Sequence, residues 1–245
     1  TGYGDPEAEY WRLLNGVSMW DVAVERQVQL KGRDAVVLID PFLNGNPNFS
    51  GDYEAIIADV THVCLTHMHN DHFGDTLDIL KKSRAKLFAM VEIADWVEGQ
   101  KFENIVAANY GGTVDLGGIK ATLVPAWHTS GFTNPDGTHI PGGLPAGLII
   151  EIDGQTVYHM GDTAIFGDMA LIAELYDPDI GIVPIGGHFT MDPPRAAYAC
   201  RKFFNFKTII PCHYKTFPLL AQSAAEMDVP GSDIVEPVVM KAIEV

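Results

Sequence analysis

Val63-Cys64-Leu65-Thr66-His67-Met68-His69-Asn70-Asp71-His72 is the stretch on which the reading of this chain turns. An apolar run, Val63 to Leu65, has the composition of a short buried strand. Directly after it, three imidazoles and one carboxylate fall within the six residues from His67 to His72. A strand that ends in such a cluster delivers its polar side chains together at the edge of a sheet. Neutral imidazole and carboxylate are the ligands that borderline divalent metals take. A solvated polar loop with unrelated histidines is the plain alternative. It does not explain why further residues of the same kinds follow at other strand ends.

There are three such residues. His128 follows the strand pattern Lys120–Pro125, Asp162 follows Thr156–Met160, and His213 follows Thr208–Ile210. Strand ends on a rigid frame are where loops aim side chains at one shared point. With these in place, the order His-x-His-x-Asp-His resembles the signature of the metallo-β-lactamase superfamily. That resemblance implies that His67, His69 and His128 hold one metal, that Asp71, His72 and His213 hold a second, and that Asp162 bridges the two. Leu38-Ile39-Asp40-Pro41-Phe42-Leu43, His159-Met160-Gly161-Asp162-Thr163, Pro184-Ile185-Gly186-Gly187-His188-Phe189-Thr190-Met191 and His213-Tyr214-Lys215-Thr216-Phe217-Pro218 are similar to one subgroup of it. That subgroup is the short metal-dependent hydrolases related to the L-ascorbate-6-phosphate lactonases, and the likeness runs from Ala35 to Leu220. The subgroup's usual opening strand, ending in Gly-His-Ser, has no counterpart between Val17 and Leu30.

The order of elements points to the same architecture. The aromatic first twenty residues, with Tyr3, Tyr10, Trp11 and Trp20, suggest a short helix packed on the body. Val22–Leu30 and Ala35–Ile39 read as a hairpin around Lys31-Gly32-Arg33-Asp34. Helices are expected at Thr76–Lys82, Val91–Glu98, Asp168–Tyr176, Pro193–Phe204 and Phe217–Met227, with strands between them. Asp192 caps the fourth of these, which has proline in its first turn. Hairpins followed by strand–helix alternation occur in both halves, which suits two packed sheets with helices outside. The expected fold is α/β: one domain spanning 1–245, an αβ/βα four-layer sandwich with two mixed β-sheets. Gly131 to Gly147, rich in glycine and proline, reads as a long loop, and Ser130 to Ala146 as a lid or wall over the site, with Phe132 and Trp127 as its apolar side.

Charge narrows the function. Sixteen basic against 32 acidic residues give a net charge of −16, which argues against a polyanionic partner such as tRNA or DNA. Cys64, Cys200 and Cys212 are an odd set without ligand spacing, which points to a reducing, cytoplasmic setting. There is no apolar run long enough to span a membrane and no visible secretory signal. The chain starts at Thr1 rather than Met, so an upstream leader stays open. The expected partner is a small-molecule substrate, with no nucleic acid and no membrane, and a homo-oligomer is allowed. The expected cofactors are two divalent metal ions, zinc first, with manganese and iron as alternatives.

The expected activity is that of a binuclear metal-dependent hydrolase, using a metal-bridging hydroxide on an ester, lactone or phosphoester. Asp71, Asp162 and His188 are the candidate catalytic groups. Asp162 orients the nucleophile, Asp71 accepts its proton, and His188 binds an anion or protonates a leaving group. Asp40 reads either as a plain turn residue before Pro41 or as a partner for the far nitrogen of a ligating histidine. His159, with strand period two, faces away from Asp162 and reads as structural. His62 and His139 carry no assigned role. The alternative function is a non-catalytic metal-binding or sensory module of the same fold.

Overall fold

The structure, a computed structural model, describes residues 18–23 and 27–244. Sheet one contains β1 (Ser18–Ala23), β2 (Gln27–Lys31), β3 (Val36–Ile39), β4 (His62–Cys64), β5 (Lys86–Met90), β6 (Ile105–Ala108) and β16 (Ala242–Glu244), in the order β16-β1-β2-β3-β4-β5-β6. Its hairpin β2–β3 closes through Gly32 N donating to Ala35 O, and β3 to β6 run parallel. Sheet two contains β7 (Thr113–Asp115), β8 (Lys120–Pro125), β11 (Ala146–Ile152), β12 (Gln155–His159), β13 (Ile180–Pro184), β14 (Thr208–Cys212) and β15 (Asp233–Ile234), in the order β15-β14-β13-β12-β11-β8-β7. It too passes from antiparallel to parallel along the chain, so both sheets are mixed.

Period two along the strands assigns side chains to layers. In sheet two, Leu148, Ile150, Ile152, Val157, Ile180, Ile182 and Ile210 share one core with Val37, Val63 and Leu87 of sheet one. The alternate positions Ile149, Tyr158, Val183 and Ile209 face a second core. That core is closed by α5 (Met169–Tyr176) and α6 (Pro193–Phe203), through Met169, Ile172, Ala196 and Cys200. On sheet one the outer layer is α3 (Thr76–Ser83) and α4 (Val91–Gly99), which bury Ile79, Leu80, Ile93 and Val97. The result is the four-layer αβ/βα sandwich. Burying each such aliphatic side chain contributes about 1.5–3 kcal/mol before chain entropy is counted. No described helix is long and apolar enough to cross a membrane.

The expected N-terminal helix with Tyr3, Tyr10 and Trp11 lies outside the described residues, which begin with β1 at Ser18. Several other local expectations need correction. Phe217–Met227 is not helical. Pro218 removes a donor there, and the backbone bonds sideways instead: Ala221 N donates to Gly186 O and Lys215 N to Ala221 O. Two short helices were not visible as periodic patterns, α1 (Tyr53–Ile57) and α2 (Asn70–Phe73). Gly131 to Gly147 is not a featureless loop, because β9 (Gly131–Thr133) and β10 (His139–Pro141) pair as a hairpin.

His62 shows what burial does to a histidine outside the cluster. It is nearly inaccessible in β4, with Nε2 3.2 Å from Leu116 O and Nδ1 2.8 Å from Thr61 Oγ1. Burial, more than the adjacent Lys86 charge, lowers its pKa below 6.5. The unfolded chain therefore binds a proton there that the folded chain refuses, so stability falls as pH drops below about 6.5. His62→Gln removes this titration. Urea melts between pH 5 and 8 should show a shallower acid decline in the variant than in the parent; parallel declines contradict the assignment.

Candidate metal centre

Three strand ends meet where the two sheets join. Thr66 O, just beyond β4, accepts from Ala146 N at the start of β11 at 2.8 Å. Gly161, just beyond β12, passes so close that a Cβ there would stand 2.6 Å from Ala146 O and 3.0 Å from Thr66 Cβ. Its φ of +63° is a left-handed conformation that glycine adopts freely. Glycine is therefore what lets Asp162, the next residue, approach the histidines after β4. The registers of β3 with β4 and of β13 with β14 bring Asp40 and His213 to the same edge. Asp40 and His213 both have left-handed backbones, with φ of 48° and 57°. Such conformations in non-glycine residues cost about 1–3 kcal/mol and persist where surrounding contacts over-determine them.

Asp40 is fully buried and accepts three hydrogen bonds. Its Oδ1 takes Thr66 N at 2.8 Å, and its Oδ2 takes Thr66 Oγ1 at 2.6 Å and His72 Nδ1 at 2.8 Å. Because the Thr66 hydroxyl proton goes to Asp40, His67 Nδ1, 3.0 Å from Thr66 Oγ1, is the donor of that pair. The chain thereby fixes two tautomers: His67 and His72 each keep Nδ1 occupied and turn an unprotonated Nε2 inward. Asp40 is thus a partner to a site histidine rather than only a turn residue.

Inward, His67 Nε2 lies 2.9 Å from His69 Nδ1, and the His67, His69 and His128 rings stand 4.6–5.2 Å apart, centroid to centroid. Asp162, almost buried, faces both sides of the cluster. Its Oδ1 is 3.4 Å from His72 Nε2, and its Oδ2 is 3.0 Å from His213 Nε2 and 3.5 Å from His128 Nε2. The potential donor atoms fall into three groups, each with atoms within 4.8 Å of one another: His67, His69 and His128; Asp40, His67 and His72; and His72, Asp162 and His213. Burial first, then the neighbouring His72 imidazole, push the His67 pKa well below 6.5, partly countered by Asp162. A neutral ring that turns its lone pair into a cluster of further imidazoles and a carboxylate has the donor chemistry that a divalent cation takes.

The structure gathers His67, His69, His72, His128, Asp162 and His213, six of the residues read from the sequence. Asp71 is half-buried in the first turn of α2 and belongs to none of the three groups. His188 is exposed, with its ring edge-on to Phe189 at 4.5 Å. His159 is buried, with Nδ1 accepting from Gly161 N, and pairs across the sheet with Leu148 of the inner core. Thr66 was not singled out by sequence, although a hydroxyl directly before the first histidine is the signal that would have found it. The β9–β10 hairpin is a fixed wall at its base. Thr133 and Asn70 exchange two hydrogen bonds, Ser130 Oγ accepts from Met68 N, and Phe132 packs against Phe73 and Trp96. Phe132 is therefore an anchor of that wall, and Gly142 and Gly143 serve close packing on Met68 and Glu92.

A beta-lactamase superfamily domain matches residues 36–214. Among similar proteins, a UPF0173 metal-dependent hydrolase of Chelativorans sp. is 53% identical over 199 residues, covering 80% of this chain and 85% of the relative. One from Ruegeria pomeroyi is 45% identical over 221 residues, covering 89% and 95%. Among solved structures, Igni18, a metallo hydrolase from Ignicoccus hospitalis, superposes with a TM-score of 0.82 at 29% identity, covering 94% of this chain and 98% of that one. Fold, clustered donors and these likenesses define a metallo-β-lactamase-type hydrolase. The chain belongs to the UPF0173 metal-dependent hydrolase family of that superfamily.

The Asp40–Thr66 arrangement gives a direct test. Thr66→Val keeps the shape but removes the hydroxyl, leaving Asp40 Oδ2 and His67 Nδ1 each one partner short. Leaving buried polar groups unmatched costs about 1–3 kcal/mol. Urea unfolding of chelator-treated protein should show a loss in that range, and a loss under about 0.5 kcal/mol contradicts the relay.

Proposed function

We propose that this protein is a binuclear metal-dependent hydrolase acting on an ester, lactone or phosphoester of a small molecule. The observation that carries the reading is Asp162, whose carboxylate lies within 3.5 Å of histidines of both expected metal positions, Oδ1 beside His72 and Oδ2 beside His213 and His128. That placement supports a bridging role for Asp162 between one metal position at His67, His69 and His128 and a second at Asp71, His72 and His213. Two divalent ions held there, zinc in first place and manganese or iron as alternatives, would supply a hydroxide nucleophile at neutral pH and would polarise the scissile carbonyl or phosphoryl group.

The chain's own groups do the rest. Asp162 would hold the ions between its neighbouring histidines and would accept a hydrogen bond from the nucleophile, which orients it. Asp71 is the acceptor for the proton released on attack, and its place in the first turn of α2 puts it beside His72. His188, exposed on the loop after β13, is the candidate donor to a leaving group. The resemblance of the sequence motifs to the L-ascorbate-6-phosphate lactonases, which none of the relatives named above carries in its name, is the reason a lactone stands on the substrate panel. A small-molecule substrate in a cytoplasmic setting suits the acidic charge. A non-catalytic metal-binding module is the second reading, and the family name of the relatives favours hydrolysis over it.

Elemental analysis of protein prepared without added metal, followed by an ester, lactone and phosphodiester panel, tests the reading. Two ions per chain and turnover on one class are expected; two ions without turnover on any class would support the module instead. Asp162→Ala should lower metal content to one ion or none by loss of the bridge. Unchanged two-ion content in that variant would contradict the assigned role.

A further inference from the structure

Ten large apolar side chains are well exposed among the described residues, and three of them are Trp or Phe: Trp127, Phe189 and Phe217. All three lie in loops that leave the site-facing strand ends. Trp127 follows β8 and directly precedes His128, Phe189 follows β13, and Phe217 follows β14 and His213. The loops form one continuous rim. Trp127 N donates to Thr163 Oγ1 and Ala164 N to Trp127 O, which ties the first to the residues after Asp162. Met191 N donates to Thr163 O, joining the second loop, and Ala221 N donates to Gly186 O, joining the third. Single exposed apolar residues are ordinary on a protein surface. Among the described residues, the gathering of the exposed Trp and Phe side chains on the rim of one polar site is not explained that way.

Trp127 is held as a platform. Its indole stacks on the nearly buried Phe166, with centroids 6.3 Å apart and planes 6° from parallel, yet 65% of the residue stays exposed. One face is thus supported while much of the ring system remains available to a ligand. Cations on the rim are scarce. Lys215 is the one Lys or Arg in residues 126–130, 163–168 and 186–192 together with 214–221, and it donates to Glu236 Oε2 at 2.7 Å. Arg195, at the start of α6, is paired with Asp192. A phosphoester is ordinarily gripped by Arg or Lys, and here the nearby ones are engaged and the chain carries a net charge of −16.

We infer that Trp127, Phe189 and Phe217 form an aromatic wall that binds the substrate's organic group, and that the substrate is a neutral ester or lactone bearing an aryl or similarly flat apolar group. This rests on the hydrolase reading above and narrows its substrate class. The wall acts on binding, and the cluster of histidines and carboxylates acts on the bond.

The test separates the two readings by using turnover and binding in parallel on the metal-loaded protein. For turnover, benzyl acetate is compared with ethyl acetate and with benzyl phosphate; for binding, phenylacetate is compared with acetate by calorimetry. The wall predicts kcat/KM about tenfold higher for benzyl acetate than for ethyl acetate, an effect of the size that aromatic contacts give. It also predicts tighter binding of phenylacetate than of acetate, and no preference for benzyl phosphate. Trp127→Ala should pull both ratios toward one while metal content stays the same. Phe189→Ala should do so to a lesser degree, and it stands in if the tryptophan variant fails to fold. If nothing in the ester, lactone and phosphodiester panel is cleaved but phenylacetate still binds tighter in a Trp127-dependent way, the hydrolase reading falls and the wall stands. If esters are cleaved with no aryl preference, or benzyl phosphate is preferred, the wall is wrong and the hydrolase reading stands. If Trp127→Ala leaves both ratios intact and instead splits a dimer in sedimentation, the rim is a contact between copies and the inference is overturned.

Discussion

Asp40 is a carboxylate without solvent, and the candidate site depends on how that charge is accommodated. A buried charge is tolerated only when its hydrogen-bonding capacity is filled. Here Thr66 fills it twice and His72 once. The same contacts fix the loop after β4 against the end of β3 and determine which nitrogens of His67 and His72 turn inward. One buried charge therefore organises both backbone and tautomers. Outer partners of this kind tune metal ligands as much as the ligands themselves do.

The second constraint is the seam between the sheets. Thr66 carries it as well, through its carbonyl to Ala146 N, and Gly161 fits into the space that remains. Asp162 is delivered by that close approach. Left-handed backbones at Asp40 and His213 show that the edge is held under strain by its surroundings. A site assembled from strand ends of two sheets is rigid for this reason. The loops beyond it, with their aromatic side chains, are free to differ in what they bind.

Much of this was legible in the sequence, for identifiable reasons. The strands announced themselves because both sheets are covered on both faces, so β4, β11 and β13 read as apolar runs. His67, His69, His72, His128, Asp162 and His213 were legible because each stands at the end of such a run. Other features were hidden because their causes are tertiary. Phe217–Met227 has a helical composition, but its backbone is recruited by Gly186. The β9–β10 hairpin was masked by glycines whose purpose is close packing on Met68 and Glu92. Thr66 drew no notice between the apolar run and His67, because its hydroxyl matters only once Asp40 and His67 are on either side of it. Trp127 was suspected as an apolar neighbour of the site, whereas Phe132 turned out to anchor the hairpin on Phe73 and Trp96.

The central claim is that Asp162 stands between two metal positions. Anomalous diffraction from crystals grown with zinc tests it most directly. The account predicts two peaks about 3.5–4 Å apart, one among His67, His69 and His128, the other beside His72 and His213, with Asp162 touching both. A single peak among the first three histidines, with Asp162 turned away from it, would contradict the account.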